Sequence, residues 1–191
     1  MRPRWFVLSV PLLLAACGGG NGSGGPAASN VLAPAPDYNG HPTIDNIPCE
    51  SVERVTYHVH AHLAIFANGQ AKVIPQGIGI APPRQTQNST EGPFVVGGAC
   101  FYWLHAHTPD GVIHIESAVP MDFRLGQYFD VWQQPLSANQ VGPATGAVTV
   151  YLNGQRADGD PRQIQLAAHN VIQLDVGQDV PPQGFTFPQG L

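Results

Sequence analysis

Residues 57–69 read YHVHAHLAIFANG, and this stretch sets the expectation for the fold of the whole chain. Tyr57 to Phe66 is strand-like: histidines alternate with apolar residues as far as Leu63, which is typical of a β-strand with one face in the core. Asn68-Gly69 follows directly, and this dipeptide favours a tight hairpin turn. We therefore expect the chain to turn there and return as a second strand over residues 71–74.

A second block with the same alternation covers residues 104–117, LHAHTPDGVIHIES. It predicts a hairpin in which residues 101–107 pair with residues 112–117. A two-residue turn at Asp110-Gly111 would place His107 opposite His114 and His105 opposite Glu116. A shift of this register by two residues would leave the same side chains on each face, because the side-chain period of a strand is two.

The remaining sequence predicts short strands and one helix. Residues 123–133 carry apolar residues at helical spacing, Asp122 could cap that helix, and Pro135 ends it. Residues 148–152, 164–166 and 171–176 are strand candidates, and residues 75–98 read as a long irregular loop. The expected fold class is mainly β or α+β, a single small domain of antiparallel hairpins with one short helix.

The amino-acid composition excludes some classes of function. The chain has 191 residues, with 8 Lys and Arg, 13 Asp and Glu and 8 His, so the net charge is −5. Because there is no basic surplus, a surface that binds nucleic-acid phosphates is not expected. The hydrophobic content of 43% is enough for a folded core. Histidine is as frequent as Lys and Arg together, and this excess needs a chemical explanation.

The first residues are typical of an export signal. Arg2 and Arg4 precede an apolar run from Phe6 to Ala16, which is too short to span a bilayer as a stable helix. The run ends in Leu-Ala-Ala-Cys17, which resembles the lipobox of bacterial lipoproteins and implies cleavage before Cys17 and lipidation of its sulfur. An ordinary secretory signal with a chance cysteine is the alternative. Cleavage would remove two basic residues and leave a net charge near −7.

This interpretation divides the chain into four parts. A lipoprotein signal peptide covers 1–16, the lipidated cysteine and a Gly/Pro-rich tether cover 17–44, a His-rich β domain covers 45–178, and a C-terminal tail covers 179–191. We expect the protein in the bacterial cell envelope, facing the periplasm or the cell surface, with the membrane as a partner through the lipid. The sequence does not identify a protein partner.

Cys49 and Cys100 remain once Cys17 is acylated. Two cysteines in an exported protein usually pair, and a bridge closing a loop of about 50 residues would stabilise the fold by about 4 kcal/mol. Two thiolate metal ligands are the alternative, although no CxxC spacing supports them.

The histidines of both blocks lie on the polar faces of the predicted strands. If the blocks are neighbours in one sheet, these faces merge into one metal site. The predicted ligands are His58, His60, His62, His105, His107, His114 and Glu116. Imidazole and carboxylate suit a divalent transition metal, with zinc and copper the leading candidates, and seven groups are more than one tetrahedral ion needs.

Three functions fit such a site. The first is a membrane-tethered, exported metal-binding protein that carries, buffers or senses zinc or copper. The second is a metal-dependent hydrolase or oxygenase that uses an open coordination position. The third is a metal-free interaction domain whose histidines respond to pH.

Three sequence motifs resemble those of a known group of proteins. HxHAHLxIFxNG, LHxHxxxGxIHIES and FxLGQxFDVWxQPL, between about residues 55 and 176, resemble an uncharacterised group of bacterial secreted proteins and lipoproteins. Members of that group often have Asp directly after the second histidine of the middle motif, where this chain has Thr108. The resemblance implies export but assigns no reaction.

Overall fold

The computed structural model describes Met1, residues 30–89 and residues 92–191. The strands are β1 (Cys49–Glu50), β2 (Tyr57–Ala67), β3 (Gln70–Lys72), β4 (Gln85–Ser89), β5 (Gly92–Gly97), β6 (Phe101–Tyr102), β7 (Leu104–His105), β8 (Val112–Ser117), β9 (Leu136–Ser137), β10 (Gln140–Val141), β11 (Ala144–Thr145), β12 (Val148–Leu152), β13 (Gln155–Ala157) and β14 (Val171–Val176). One α-helix, α1, covers Leu125–Val131, and a 3₁₀ turn covers Pro161–Gln163. The expected fold class, a small and mainly β domain with one short helix, is confirmed.

The main sheet has the strand order β13-β12-β14-β2-β8-β7, and β3 also pairs with β2. Strand β14 runs parallel to β2, whereas β8 and β3 run antiparallel to it. The long strand β2 is thus central, and both histidine blocks lie in the same sheet. Because β2 alternates strictly, its histidines share one face and Val59, Ala61 and Leu63 share the other.

The apolar face of the sheet packs against helix α1. Ala61, Leu63 and Ile113 from the sheet join Tyr128 and Phe129 from the helix in one buried cluster. This arrangement explains the alternation in the sequence: one face of β2 and β8 supplies the core, which leaves the histidine face for other chemistry. Within the described residues, no helix is long and apolar enough to cross a membrane.

The second hairpin differs from the simplest expectation. His105 lies opposite His114 and Leu104 opposite Ile115, so the pairing is shifted by two residues from the one built on a two-residue turn. The expected strand over 101–107 is also broken at Trp103 into β6, which pairs with β1, and β7. The loop is longer than predicted, and within it the Thr108 hydroxyl and Val112 N–H both donate to the Asp110 carboxylate. The faces are unchanged, since the shift is an even number of residues.

The expectation of an irregular loop over residues 75–98 is wrong in its second half. Strands β4 and β5 form an antiparallel hairpin there, with Gln87 opposite Phe94. The side chains of β4 are all exposed, so no apolar alternation marked it as a strand. The hairpin attaches to the histidine block through Val95 N–H, which donates to the His107 carbonyl at 3.0 Å.

Two smaller predictions are also corrected. The helix is shorter than residues 123–133, and Asp122 does not cap it: the Gln127 side chain accepts from Arg124 N–H, and Asp122 accepts from Gln165 instead. Residues 164–166 form no strand; Gln165 makes only an isolated bridge with Arg124. The expected strands over 148–152 and 171–176 are present with these bounds, and the strand expected over 71–74 is present as β3, Gln70–Lys72.

Both ends of the described chain pack on the domain. Leu32 and Tyr38, from the stretch expected to belong to the tether, are buried in the core cluster. The tail beyond residue 178 lies along β14, where Gln183 N–H donates to the Gln173 side chain at 2.8 Å. The Cys49–Cys100 disulfide is confirmed. Apart from Met1, the predicted signal peptide lies outside the described residues, as do Cys17 and residues 18–29.

Candidate metal centre

Strand pairing brings the two histidine blocks face to face. In β2 and β8, His60 lies opposite His114 and His58 opposite Glu116. In β7 and β8, His105 lies opposite the same His114. His114 is therefore flanked by histidines on both sides, because β8 runs between β2 and β7 in the sheet.

Two groups of histidines result. The ligand nitrogens of His105, His107 and His114, the inner group, lie within 4.8 Å of one another, and so do those of His58, His60 and His114, the outer group. All three inner residues are buried, whereas His58 is exposed. Both groups could hold a metal ion.

Hydrogen bonds to the backbone fix the orientation of two inner imidazoles. His105 Nδ1 lies 2.9 Å from the Tyr102 carbonyl oxygen, and His107 Nδ1 lies 2.5 Å from that of Val95. A carbonyl oxygen only accepts, so both Nδ1 atoms carry the proton and donate it. In the neutral imidazoles the lone pairs are then on the two Nε2 atoms, which face each other at 3.1 Å.

This contact is unfavourable between two lone pairs and fits a shared cation. Two ligands of a tetrahedral ion with bonds of 2.0–2.1 Å lie about 3.3 Å apart, close to the observed distance. Histidine ligands of metals usually donate their other N–H to a carbonyl or carboxylate, as His105 and His107 do here. The backbone hydrogen bonds thus orient the two Nε2 atoms in the way that is typical of two histidine ligands of one metal ion.

Glu53 completes this side of the site, and the sequence analysis missed it. Its Oε1 atom lies 3.2 Å from His107 Nε2 and 3.7 Å from His105 Nε2. That oxygen is buried and receives no hydrogen bond, which is consistent with a lone pair rather than a proton on His107 Nε2. A signal for Glu53 existed in the cysteines: the disulfide ties Cys49, four residues before Glu53, to Cys100, five residues before His105.

Glu116 lies between the two groups. Its Oε1 atom is 3.1 Å from His58 Nε2, 3.7 Å from His105 Nε2 and 3.7 Å from His114 Nδ1. Its other oxygen, Oε2, is buried and unpaired. Burial and the nearby Glu53 carboxylate raise the pKa of Glu116 to about 7. A cation beside Glu53 and Glu116 would remove this repulsion.

Protons bind poorly at the same histidines. Burial lowers the pKa of His105 to about 3 and that of His60 to about 4, and burial together with the surrounding imidazoles lowers the pKa of His114 further. Neutral imidazoles are the form that coordinates metals, so the site holds its nitrogen ligands ready at neutral pH. Contact with His107 lowers the pKa of Glu53, so this carboxyl is negatively charged at neutral pH.

The outer group has a similar set of distances. His114 Nδ1 lies 3.4 Å from His58 Nε2 and 3.2 Å from His60 Nε2. With Glu116 Oε1 these atoms form a three-nitrogen, one-oxygen set whose recorded separations run from 3.1 to 3.7 Å. This is again the spacing of ligands around a tetrahedral ion.

His62 is placed apart from both groups. It shares the polar face of β2, but its Nε2 lies 3.0 Å from the Asp110 carbonyl oxygen, to which it donates. Its ring stacks on Phe185 of the C-terminal tail, with ring centres 3.7 Å apart. The structure thus brings six of the seven predicted ligands together, with His114 at their centre, and adds Glu53.

The fold and the site together define a small β-sheet protein whose buried histidine cluster could hold a metal ion. No family model, curated protein or solved structure matches the chain. The inference of function therefore rests on the geometry and electrostatics of the cluster.

Proposed function

We propose that this protein binds one divalent transition ion, zinc or copper, and carries, buffers or senses that ion. The observation that supports this most strongly is the pair of Nε2 atoms of His105 and His107. Both are left with a lone pair by backbone hydrogen bonds and face each other at 3.1 Å in a buried position. A cation between them removes the repulsion of the two lone pairs and leaves both backbone hydrogen bonds in place.

Charge supports a single ion at this site. With an ion bound, Glu53 and Glu116 bring two negative charges to the cluster, because the cation lowers the raised pKa of Glu116, and the histidines are neutral ligands. One divalent ion balances two carboxylates, which matters because an uncompensated buried charge is costly. Imidazole and carboxylate ligands without thiolate or thioether favour zinc(II) or copper(II) over copper(I).

Burial favours holding an ion over reacting with a substrate. A catalytic zinc keeps one coordination position open to water, whereas closed sites surround the ion with protein ligands. The inner histidines are buried, and two carboxylates lie within reach of them. We therefore place the carrier, buffer or sensor ahead of the hydrolase or oxygenase.

Export and anchoring are part of the proposal and rest on the sequence. We propose a lipid anchor at Cys17, in the cell envelope of a bacterium, supported by the apolar run and the Leu-Ala-Ala-Cys17 motif. The three shared motifs support placing the chain with the bacterial secreted proteins that they resemble. Mass spectrometry of the mature N-terminus tests the anchor: an unmodified Cys17, or a start at another residue, contradicts it.

Metal analysis of the full chain tests the binding function. We expect one equivalent of zinc or copper per chain after purification without a tag, and a loss of affinity of at least about 100-fold in His105→Gln and His107→Gln. His41→Asn is the matched control, since His41 is exposed and distant in sequence from both blocks. A folded wild-type chain that binds neither zinc(II) nor copper(II) at micromolar concentration overturns the proposal.

A further inference from the structure

We infer that the outer group is a second cation position, through which a divalent ion reaches the inner group by exchange of ligands on His114 and Glu116. This inference rests on the proposed binding function and adds a route to it. It starts from the observation that the two groups are not separate sites. His114 belongs to both, and Glu116 Oε1 lies within 3.7 Å of a histidine nitrogen in each.

The two positions differ in their access to solvent. The His58 side chain is 34% exposed, whereas the His105 side chain is 0% exposed. Phe94 from β5 stacks on the His107 ring at a centre distance of 4.6 Å, and Glu53 lies against His105 and His107. The Glu53 side chain is 32% exposed as well, but its Oε1 atom, the one that faces His105 and His107, is buried. His58 is therefore the exposed nitrogen ligand at which we take an ion from solvent to bind first.

The shared ligands make the two positions exclusive. A neutral imidazole has one lone pair, so His114 cannot serve ions at both positions at once. Two divalent ions would also bring four positive charges to a cluster with two carboxylates. The geometry thus describes one ion with two alternative positions rather than a pair of ions.

The same sharing keeps the ion coordinated while it moves. In the outer position its ligands are His58, His60, His114 and Glu116. In the inner position His105 and His107 take the places of His58 and His60, and Glu53 joins as a further ligand. Each histidine exchange joins ligands that are close in space: the contacts of Glu53 and Glu116 with the histidine nitrogens are 3.1–3.7 Å long, and the nitrogens of each group lie within 4.8 Å of one another. No bond other than metal–ligand bonds forms or breaks, and no electron is transferred.

The rates of zinc uptake and release distinguish residues on an entry route from residues that only bind the resting ion. We would mix the full chain with zinc(II) held by a chromophoric chelator, follow uptake by stopped flow, and follow release into excess EDTA. For His58→Gln and His60→Gln we expect uptake and release both to slow about tenfold, with one ion per chain and a dissociation constant within about threefold of wild type. His41→Asn is the control and should match the wild type in both rates.

Each outcome of this experiment either supports or overturns the proposed route. Unchanged rates in His58→Gln overturn the route. A dissociation constant that weakens as much as the uptake rate slows also overturns it, since the outer residues would then be ligands of the resting ion. Two ions per wild-type chain would overturn the exclusive positions. His60 is buried, so a fold check by circular dichroism accompanies His60→Gln, and the exposed His58 carries the test by itself. Absence of zinc binding in wild type would instead refute the proposed function.

Discussion

Replacing Gly79 with alanine should displace the strand that carries His105. Gly79 has a φ of +74°, and a Cβ added there would lie 2.2 Å from the Leu104 carbonyl oxygen and 2.6 Å from His105 Cβ. The backbone is held at this point, because Gly79 N–H donates to the Tyr38 hydroxyl and the Gly79 carbonyl accepts from Tyr102 N–H. Strand β7 must therefore move away from residue 79.

Gly40 offers a matched control for this substitution. Its φ is +75°, but a Cβ there meets no atom within 4 Å. Both variants carry the cost of a left-handed backbone, about 1–2 kcal/mol. Only Gly79→Ala adds overpacking, which costs about 1–3 kcal/mol in a closely packed region. The difference between the two variants therefore isolates the contact with β7.

Two measurements test this reasoning. Urea unfolding in the presence of a chelator should show Gly79→Ala less stable than Gly40→Ala by about 1–3 kcal/mol. Zinc competition should show at least about tenfold weaker binding in Gly79→Ala and wild-type binding in Gly40→Ala, because only the first shifts His105. Equal stability of the two variants, or wild-type zinc affinity in Gly79→Ala, would refute the argument.

Three further predictions follow from the same structure. Reducing the Cys49–Cys100 bridge, which joins residues 51 apart, should lower the free energy of unfolding by about 4 kcal/mol in a urea titration, and an unchanged midpoint would contradict this. Without metal, the protein should lose stability as the pH falls below about 6.5. The unfolded chain then binds a proton at His105, whereas in the folded chain the pKa of His105 is about 3 and the side chain stays neutral. This residue alone should lower the free energy of unfolding by about 2 kcal/mol at pH 5. Glu116, with its pKa raised to about 7, gains about as much stability over this range as His105 loses, so the net loss comes from His60 and His114, whose pKa values burial also lowers. Urea midpoints that stay constant from pH 7 to pH 5 would count against buried neutral histidines. Phe129→Ala should cost about 3–5 kcal/mol because that ring is fully buried against the sheet, whereas Phe129→Leu should cost clearly less in the same urea assay.

Local pattern in the sequence was sufficient for the faces of the sheet. The strict alternation through His58, His60 and His62, and again through His105 and His107, requires one polar and one apolar side whatever the exact pairing. This is why the polar face was predicted correctly although the hairpin register was not. A shift by two residues changes which residues are opposite one another but leaves each side chain on the same face.

Long-range contacts could not be read from local pattern. Glu53 lies in a short segment without periodicity, and the disulfide and the β1–β6 pairing bring that segment to the site. Strand β4 is polar and exposed, so nothing in its sequence distinguished it from a loop. His62 has the same parity as His60, and its separation from the cluster depends on the tail that brings Phe185 against it.

The central claim is that one ion is held between His105 and His107. The most direct measurement is anomalous scattering at the zinc edge from crystals of the zinc-loaded chain. The account predicts a single peak about 2.0–2.1 Å from the Nε2 atoms of both residues, with Glu53, His114 and Glu116 around it. A peak at His62 or elsewhere on the surface, or none at these two nitrogens, would contradict it.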